Sequence, residues 1–476
     1  MAMASFDIAV IGGGPGGYVA AIRAAQLGFH TVLFEAERVG GLCLNWGCIP
    51  SKALLRNADV LALVRNASVW GIHVDGVTAD YGAAVDRSRK VVDQIVGGVE
   101  GLLRDNGVTV VPARARLAAP GVVEAGGERV EARWVIIATG GTPRRLPGVE
   151  IDGDVVITSR EALARRTPPQ RAVIIGAGPI GVEFAHLWST YGTEVTLVEL
   201  LDTVLPQEDP DVSRALRRSF EARGIRCLTS ARVASVDRSA KEARVTVEQA
   251  GERVVLEADT VLVAVGFAAN TTDLGLEALG VATDRGFVVI DETMATNVPG
   301  ILAIGDVTGK LMLAHVAMQQ GVAAVERLAG REVPVLDYVQ MPRATFCQPQ
   351  VGSVGYTEPG ARAAGFEVRV GRFPFTALGK AIAVGETEGF VKVVADAETK
   401  QVLGIHVIGH DIVDLMGEAS LAVLLEVTTE ELGFAVRVHP TLPEALKEAA
   451  LAVDGEAIHI ARRRAQQAAA PRGGSG

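Results

Sequence analysis

The stretch Asp7-Ile-Ala-Val-Ile-Gly12-Gly-Gly14-Pro15-Gly-Gly17 decides the fold. Asp7–Ile11 is a short apolar run that reads as a buried strand, and a helical pattern runs from the glycines to Leu27. Thr31–Phe34 is a second strand-like run, ending at Glu35. The whole pattern returns 164 residues later. Ala172–Ile175 leads into Gly176-Ala-Gly178-Pro179-Ile-Gly181, a helical pattern reaches Tyr191, and Val195–Val198 ends at Glu199. One G-x-G-x-x-G is weak. Two copies, each between strand and helix and each with an acid 23 residues past the first glycine, predict two Rossmann-like dinucleotide-binding units. Gly12 and Gly176 make the tight turn, Gly14 and Gly178 let the backbone approach a pyrophosphate, and Gly17 and Gly181 let helix pack on strand. Pro15 and Pro179 fall near the first helical position, where a missing N–H costs nothing. The helix N-terminus then faces the phosphates with its positive end. Glu35 and Glu199 are each expected to accept a hydrogen bond from a ribose 2′-hydroxyl. An acid at 199 repels a 2′-phosphate, so the second site is expected to prefer NAD to NADP.

The rest of the composition bounds the function. With 476 residues, two to four domains are expected. Hydrophobic residues at 49% and charged residues at 21% exclude a disordered, collagen-like or coiled-coil chain. The net charge of -10 argues against a nucleic-acid or polybasic membrane partner. Four cysteines cannot form a disulfide framework for a chain of this size. No run reaches the ~18 apolar residues of a membrane span, and Phe6–Ile11 is too short for a signal peptide. A soluble cytoplasmic protein is expected. Residues 1–4 and the tail after Ala461 read as disordered or added sequence.

Between the two copies, Pro50–Val64 and Tyr81–Asn106 read as helices, Trp134–Ala138 as a buried strand leading into Thr139-Gly140, and Pro143–Asp154 as a linker. Ala243–Glu248 and Thr260–Val265 read as strands, and Gly300–Ile304 leads into Gly305-Asp306. From about Tyr338 strands (Phe390–Ala395, Gly404–Ile408) and a helix (Ile412–Leu425) alternate without a nucleotide fingerprint, which predicts a separate C-terminal domain.

Residues 40–55 read Gly-Gly-Leu-Cys43-Leu-Asn-Trp46-Gly-Cys48-Ile-Pro50-Ser-Lys52-Ala-Leu-Leu. Two cysteines stand just before a helix whose start Pro50 marks. Cys48 then lies at its positive end, which stabilises a thiolate. Beside two dinucleotide fingerprints, such a pair suggests a catalytic disulfide; half of a zinc site and buried core thiols are the alternatives. Only eight of 46 basic residues are lysine, so Lys52 beside the pair stands out. Cys227 and Cys347 lie in strand-like segments and read as core residues.

On these residues, Phe6 to about Ile460 resembles the class I pyridine nucleotide-disulfide oxidoreductases, and within them the dihydrolipoamide dehydrogenases, whose GGxCLNxGCIPSKALL signature is similar to residues 40–55. The resemblance implies an α/β chain with FAD at the first fingerprint and NAD at the second. Its domains would be FAD-binding over 1–150, NAD-binding over 151–270, central over 271–340 and completing the FAD site, and an α+β dimerisation domain over 341–465, followed by a flexible tail over 466–476. It implies that Cys43 is the interchange thiol and Cys48 the charge-transfer thiol beside FAD. Lys52 would sit near the flavin and pair with Glu183. Asp306 would hold the ribityl chain, Ala314 and His315 would flank the flavin ring through their backbone, and Thr139-Gly140 would close the FAD domain. Gly266 is expected at the NAD site. His439-Pro-Thr-Leu-Pro-Glu444 matches the family's base motif. A neutral imidazole, with a reference pKa of ~6.5, can take a proton from a dithiol. Glu444 on the other ring nitrogen would fix the tautomer. The base is expected to come from the other subunit of a homodimer, and the partner to be a lipoyl domain of a 2-oxoacid dehydrogenase or glycine cleavage complex.

The chain departs from the family pattern at Trp46, at Gly266–Thr271, at Val316 and Gln319, and at Leu378-Gly379-Lys380. Mercuric reductase and the larger thioredoxin reductases need a C-terminal cysteine pair, and no cysteine follows Cys347. Glutathione reductase needs 2′-phosphate-binding arginines where Glu199-Leu-Leu-Asp202 stands. A reductase of another disulfide, or a non-catalytic flavoprotein subunit, is the remaining alternative.

Overall fold

The strand Ala4–Ile11 is the centre from which the first sheet is built. It pairs in parallel with Thr31–Phe34 on one side and Glu128–Ile137 on the other. Ile8, Ala9 and Val10 are fully buried, as a parallel strand covered on both faces requires. Ile301–Ala303 adds a further parallel pairing to Glu128–Ile137. Beyond Glu128–Ile137 the first sheet continues in antiparallel strands, 122–125 and 115–119, whereas the second is parallel throughout, in the order 226–228, 194–198, 171–175, 260–263 and 156–157. The repeat survives to the level of register: Ile8 faces Thr31 and Ile11 faces Phe34, as Ala172 faces Val195 and Ile175 faces Val198.

The computed structural model describes residues 4–239 and 241–461. They divide into two compact units, one within 4–206 and 220–338, the other within 207–219 and 339–461. Residues 1–3 and the tail after Ala461, including the stretch 466–476 expected to be flexible, lie outside the described residues. Ala4 does not belong with them: it opens the first strand, opposite Val130.

The predicted helices form with shifted ends. The helix expected from Pro50 begins at Cys48 and runs to Arg65, and Cys43 sits in a short helix of its own, Gly41–Trp46. The missed turn reflects Asn45, whose buried amide donates to the carbonyls of Val39 and Gly41 and ties the glycine-rich segment into helix. The helix expected over Ile412–Leu425 is a 3-10 turn, Val413–Leu415, followed by Met416–Leu424. Cys227 and Cys347 are buried, as expected. No helix among the described residues is long and apolar enough to cross a membrane.

The second unit is a five-stranded antiparallel sheet, ordered 343–345, 350–355, 402–409, 390–396 and 368–374. Register places a polar row across all five strands: Arg343 opposite Ser353, Ser353 opposite His406, His406 opposite Lys392, and Lys392 opposite Arg372. Opposed residues share a face. The acidic segment at 208–211 answers this row. Glu208 pairs with Arg343 at 3.2 Å. The Lys392 ammonium, only 2% exposed, reaches Asp209 at 2.9 Å, Asp211 at 2.7 Å and Glu358 at 2.9 Å. Burial pulls the Asp209 carboxyl upward, but His406, Lys392 and the backbone N–H groups of Glu358 and Asp211 outweigh it and hold it below the ordinary range. Asp211 follows the same balance, and the Lys392 hydrogen bond likewise holds Glu358 down.

Lys392→Met strands three carboxylates without their cation and is expected to cost about 3 kcal/mol of stability, read by urea unfolding. The pH dependence has a definite sign. Carboxyls held low in the folded state stabilise above their unfolded pKa of about 4 and lose that contribution as pH falls through their folded values. The melting temperature of the parent protein should therefore fall more steeply below about pH 4 than that of the Lys392→Met variant.

Candidate active site

The three glycines of each fingerprint do different physical work. Gly12 and Gly176 have φ of 107° and 103°, and a Cβ there would lie 2.3 Å from the Ala138 carbonyl oxygen and 2.4 Å from that of Ala264. A Cβ on Gly17 or Gly181 would lie 1.9 Å from the carbonyl oxygen of Gly12 or Gly176. These four positions are demanded by the turn and the packing. Gly14 and Gly178 are not: their φ of -66° and -73° suits any residue, and a Cβ would meet nothing within 4 Å. The fold leaves that space open at the head of each helix, where backbone N–H groups bind an anion.

The two acids are held alike. Glu35 accepts from the N–H of Gly13 at 2.7 Å and of Glu37 at 2.8 Å. Glu199 accepts from Ala177 at 2.7 Å and Leu201 at 2.9 Å. Each carboxylate is thus fixed beside its glycine turn with acceptor capacity left over for a hydroxyl.

A cavity of about 850 Å³ opens at the first fingerprint, within the ~300–1,000 Å³ of cofactor pockets. Gly12, Gly14 and Glu35 line one part of it; Thr139, Gly140, Asp306 and Ala314 line another, and Cys43 reaches it as well. The Asp306 carboxyl makes no hydrogen bond among the described residues, and burial pushes its pKa up to about 6. A polyol hydroxyl would supply the missing partner. The open helix head, the fixed acid and the unsatisfied carboxyl fit a dinucleotide with a polyhydroxy chain, as FAD is. His315 is exposed and is not among the lining residues, whereas Ala314 opens the helix Ala314–Leu328 at the cavity wall.

Cys43 and Cys48 are joined by a disulfide, which sets aside the zinc and core-thiol alternatives. Cys48 is the first residue of its helix, at the positive end of the dipole. One turn further, the Lys52 ammonium donates to both oxygens of the buried Glu183, at 2.9 and 3.0 Å. Glu183 lies on the helix of the second fingerprint, Pro179–Thr190, so this pair ties the redox helix to the second dinucleotide module. Gly266 stands at the mouth of a short ribbon in which Phe267–Ala269 pairs with Gly141–Pro143. Asn270 closes it by donating to Thr139 and Gly140, through its side chain and backbone respectively.

In the second unit, Nδ1 of His439 lies 2.8 Å from Glu444 Oε1, and the His439 side chain is 77% exposed. Burial pulls the Glu444 carboxyl upward, but the N–H of Thr441 and the His439 ring outweigh it and hold it low. Phe434, Val436 and Val438, just before this pair, are 86%, 93% and 77% exposed. Three apolar side chains in water beside a histidine mark a surface made to be covered.

Sequence reasoning missed Gln320, which is buried and accepts from the N–H of Gly305 at 2.7 Å, setting the segment that carries Asp306. It also missed Arg89 and Arg160, whose guanidinium carbons lie 5.4 and 4.4 Å from the Trp46 ring centroid. Both act across long sequence separations, and no local spacing signals them.

The glycine geometry separates binding from folding. Gly17→Ala is expected to destabilise the apoprotein by about 2–3 kcal/mol in urea unfolding. Gly14→Ala should leave apoprotein stability within about 0.5 kcal/mol and weaken dinucleotide binding at least about tenfold in a titration.

Residues 6–321 match the pyridine nucleotide-disulphide oxidoreductase family, and residues 341–450 match the dimerisation domain of that family. The chain is 42% identical over 470 residues to a dihydrolipoyl dehydrogenase of Bacillus subtilis, covering 96% of this chain and 99% of that one. It is 46% identical over 466 residues to a dihydrolipoyl dehydrogenase of Mycobacterium tuberculosis, covering 96% and 100%. Among solved structures it is similar to LpdA from Mycobacterium tuberculosis, with a TM-score of 0.87 at 30% identity over 93% of this chain and 99% of that one. It is also similar to the HOCl-induced flavoprotein disulfide reductase RclA from Escherichia coli, with a TM-score of 0.83 at 25% identity over 93% and 99%. Two dinucleotide modules, a disulfide at the cofactor cavity and a matched dimerisation domain agree with this likeness along nearly the whole length, and the chain belongs to the pyridine nucleotide-disulphide oxidoreductases, among the dihydrolipoyl dehydrogenases.

Proposed function

We propose that this protein oxidises protein-bound dihydrolipoyl groups to lipoyl, with NAD+ as the electron acceptor. The observation that carries the reading is the Cys43–Cys48 disulfide, with Cys43 on the wall of the first dinucleotide cavity and Cys48 heading a helix.

The chemistry follows from these groups. Neutral His439, its Nδ1 held by Glu444, takes a proton from one substrate thiol through Nε2. The thiolate attacks Cys43 Sγ, the Cys43–Cys48 bond breaks, and a mixed disulfide forms with Cys48 released as thiolate. The helix dipole stabilises that thiolate. The second substrate thiol attacks its partner sulfur, closes the lipoyl ring and leaves both cysteines reduced. Bound FAD would carry the two electrons from this dithiol to NAD+. Gly12, Gly14, Gly17 and Glu35 would hold its adenosine and pyrophosphate, Thr139-Gly140 the adjoining wall, and Asp306 the ribityl hydroxyls, with Ala314 at the ring. Lys52, fixed by Glu183, would place a positive charge beside the flavin. Gly176, Gly178, Gly181, Glu199 and Gly266 would hold NAD, and Glu199 would disfavour a 2′-phosphate.

The base is assigned to a second copy: His439 of the partner subunit would serve this chain's disulfide. The matched dimerisation domain and the exposed Phe434, Val436 and Val438 support a homodimer completed in this way. The partners would be lipoyl domains of a 2-oxoacid dehydrogenase or glycine cleavage complex. We place the protein in the cytoplasm, where a disulfide that cycles through the dithiol is kept workable by reducing conditions.

The direct test is NAD+ reduction by free dihydrolipoamide, with NADP+ in parallel. NAD+ turnover should far exceed NADP+ turnover. His439→Ala should lower kcat by about 10²–10⁴, and Glu444→Gln by less. A flavin-loaded protein that forms the long-wavelength charge-transfer band on partial reduction, yet does not turn over dihydrolipoamide, would instead be a reductase of another disulfide.

A further inference from the structure

Three side chains from distant segments meet at the rim of the first cavity. Glu37 follows the strand that ends at Phe34, Trp46 ends the short cysteine helix, and Arg160 lies in the first turn of the helix Ser159–Ala164. All three line the cavity. The Glu37 and Arg160 side chains are also 53% and 42% exposed, so both can reach solvent as well as the cavity. The Arg160 guanidinium pairs in fork geometry with both Glu37 oxygens, one contact being 3.2 Å, and lies 4.4 Å from the Trp46 ring centroid. Trp46 is held in turn by Arg89, which donates to the Asn45 carbonyl at 2.8 Å and stands 5.4 Å from the same ring.

We propose that Arg160, bound to Glu37 and backed by Trp46, is a latch across the opening of the flavin cavity that retains the cofactor. The fingerprint glycines and Asp306 bind; the latch governs release. The proposal rests on the reading of this cavity as the FAD site. Position decides what this pair controls. An exposed ion pair contributes little to overall stability, because water screens it. Set across an opening, however, it must break each time the cofactor leaves, so its contribution falls on the release rate. Stacking on an indole adds to the hold, since a guanidinium over a ring is attracted by the ring's negative face. The same contact ties the latch to the segment between the redox cysteines, because Trp46 stands between Cys43 and Cys48. The unusual residue at 46 thereby gains a role: it is the platform for Arg160.

The test uses the holoenzyme and reads flavin release, followed as the rise in free-flavin fluorescence after dilution into mild chaotrope. Arg160→Met and Glu37→Gln should each speed release about five- to tenfold. The double variant should be no faster than Arg160→Met alone, because Glu37→Gln removes only an interaction that Arg160→Met already removes. Arg160→Lys should fall between the parent and Arg160→Met, since it keeps the charge but not the fork. Trp46→Val should speed release severalfold. Unchanged rates in the single variants, or multiplied effects in the double, would overturn the latch while leaving the FAD reading intact. A parent protein that takes up no flavin would overturn both.

Discussion

The structure depends on one close approach, repeated: a helix laid so tightly on its strand that no side chain fits between. At Gly17 and Gly181 a Cβ would sit 1.9 Å from a carbonyl oxygen of the turn itself. That contact sets the angle at which the helix leaves the strand. It thereby fixes where the helix N-terminus points and where the next strand ends. The acid after that strand is then brought back to the turn, and its carboxylate binds the N–H of the residue between the first two glycines. Turn, helix head and acid form a unit that leaves open space at the middle glycine and free acceptor capacity on the acid.

The redox segment is joined to both units of this kind. Cys43 reaches the cavity of the first, and the helix that Cys48 begins is bound to the second through Lys52 and Glu183. The buried carboxylate and its half-exposed lysine fix each other in one geometry. Electron flow from dithiol to nicotinamide needs a relay between these modules, and the ion pair spans the same two elements. The compact unit of 207–219 and 339–461 uses charge differently. There Lys392 and the row across the sheet organise the fold, while the groups suited to proton transfer, His439 and Glu444, stay at the surface.

Much of this was legible in the sequence because its physics is local. A glycine turn, a proline at a helix start, an acid at a strand end and two cysteines before a helix each carry their spacing in consecutive residues. The repeat at an offset of 164 was visible for the same reason, since the same local rules were applied twice. Helix boundaries near the cysteines were misjudged because the Asn45 hydrogen bonds that close the Gly41–Trp46 turn compete with the glycines' preference for irregular structure.

The sequence by itself determined two dinucleotide modules, a redox-active cysteine segment and a family, because each is written in short-range patterns that only one backbone geometry satisfies. Tertiary structure alone decided how closely each fingerprint glycine is approached, since that depends on what a Cβ would meet. It alone brought Glu37, Trp46 and Arg160 to one rim and Gln320 beneath Gly305. It alone set Ser353, His406 and Lys392 in one buried row. Such contacts join residues far apart in the chain, and no local periodicity encodes them.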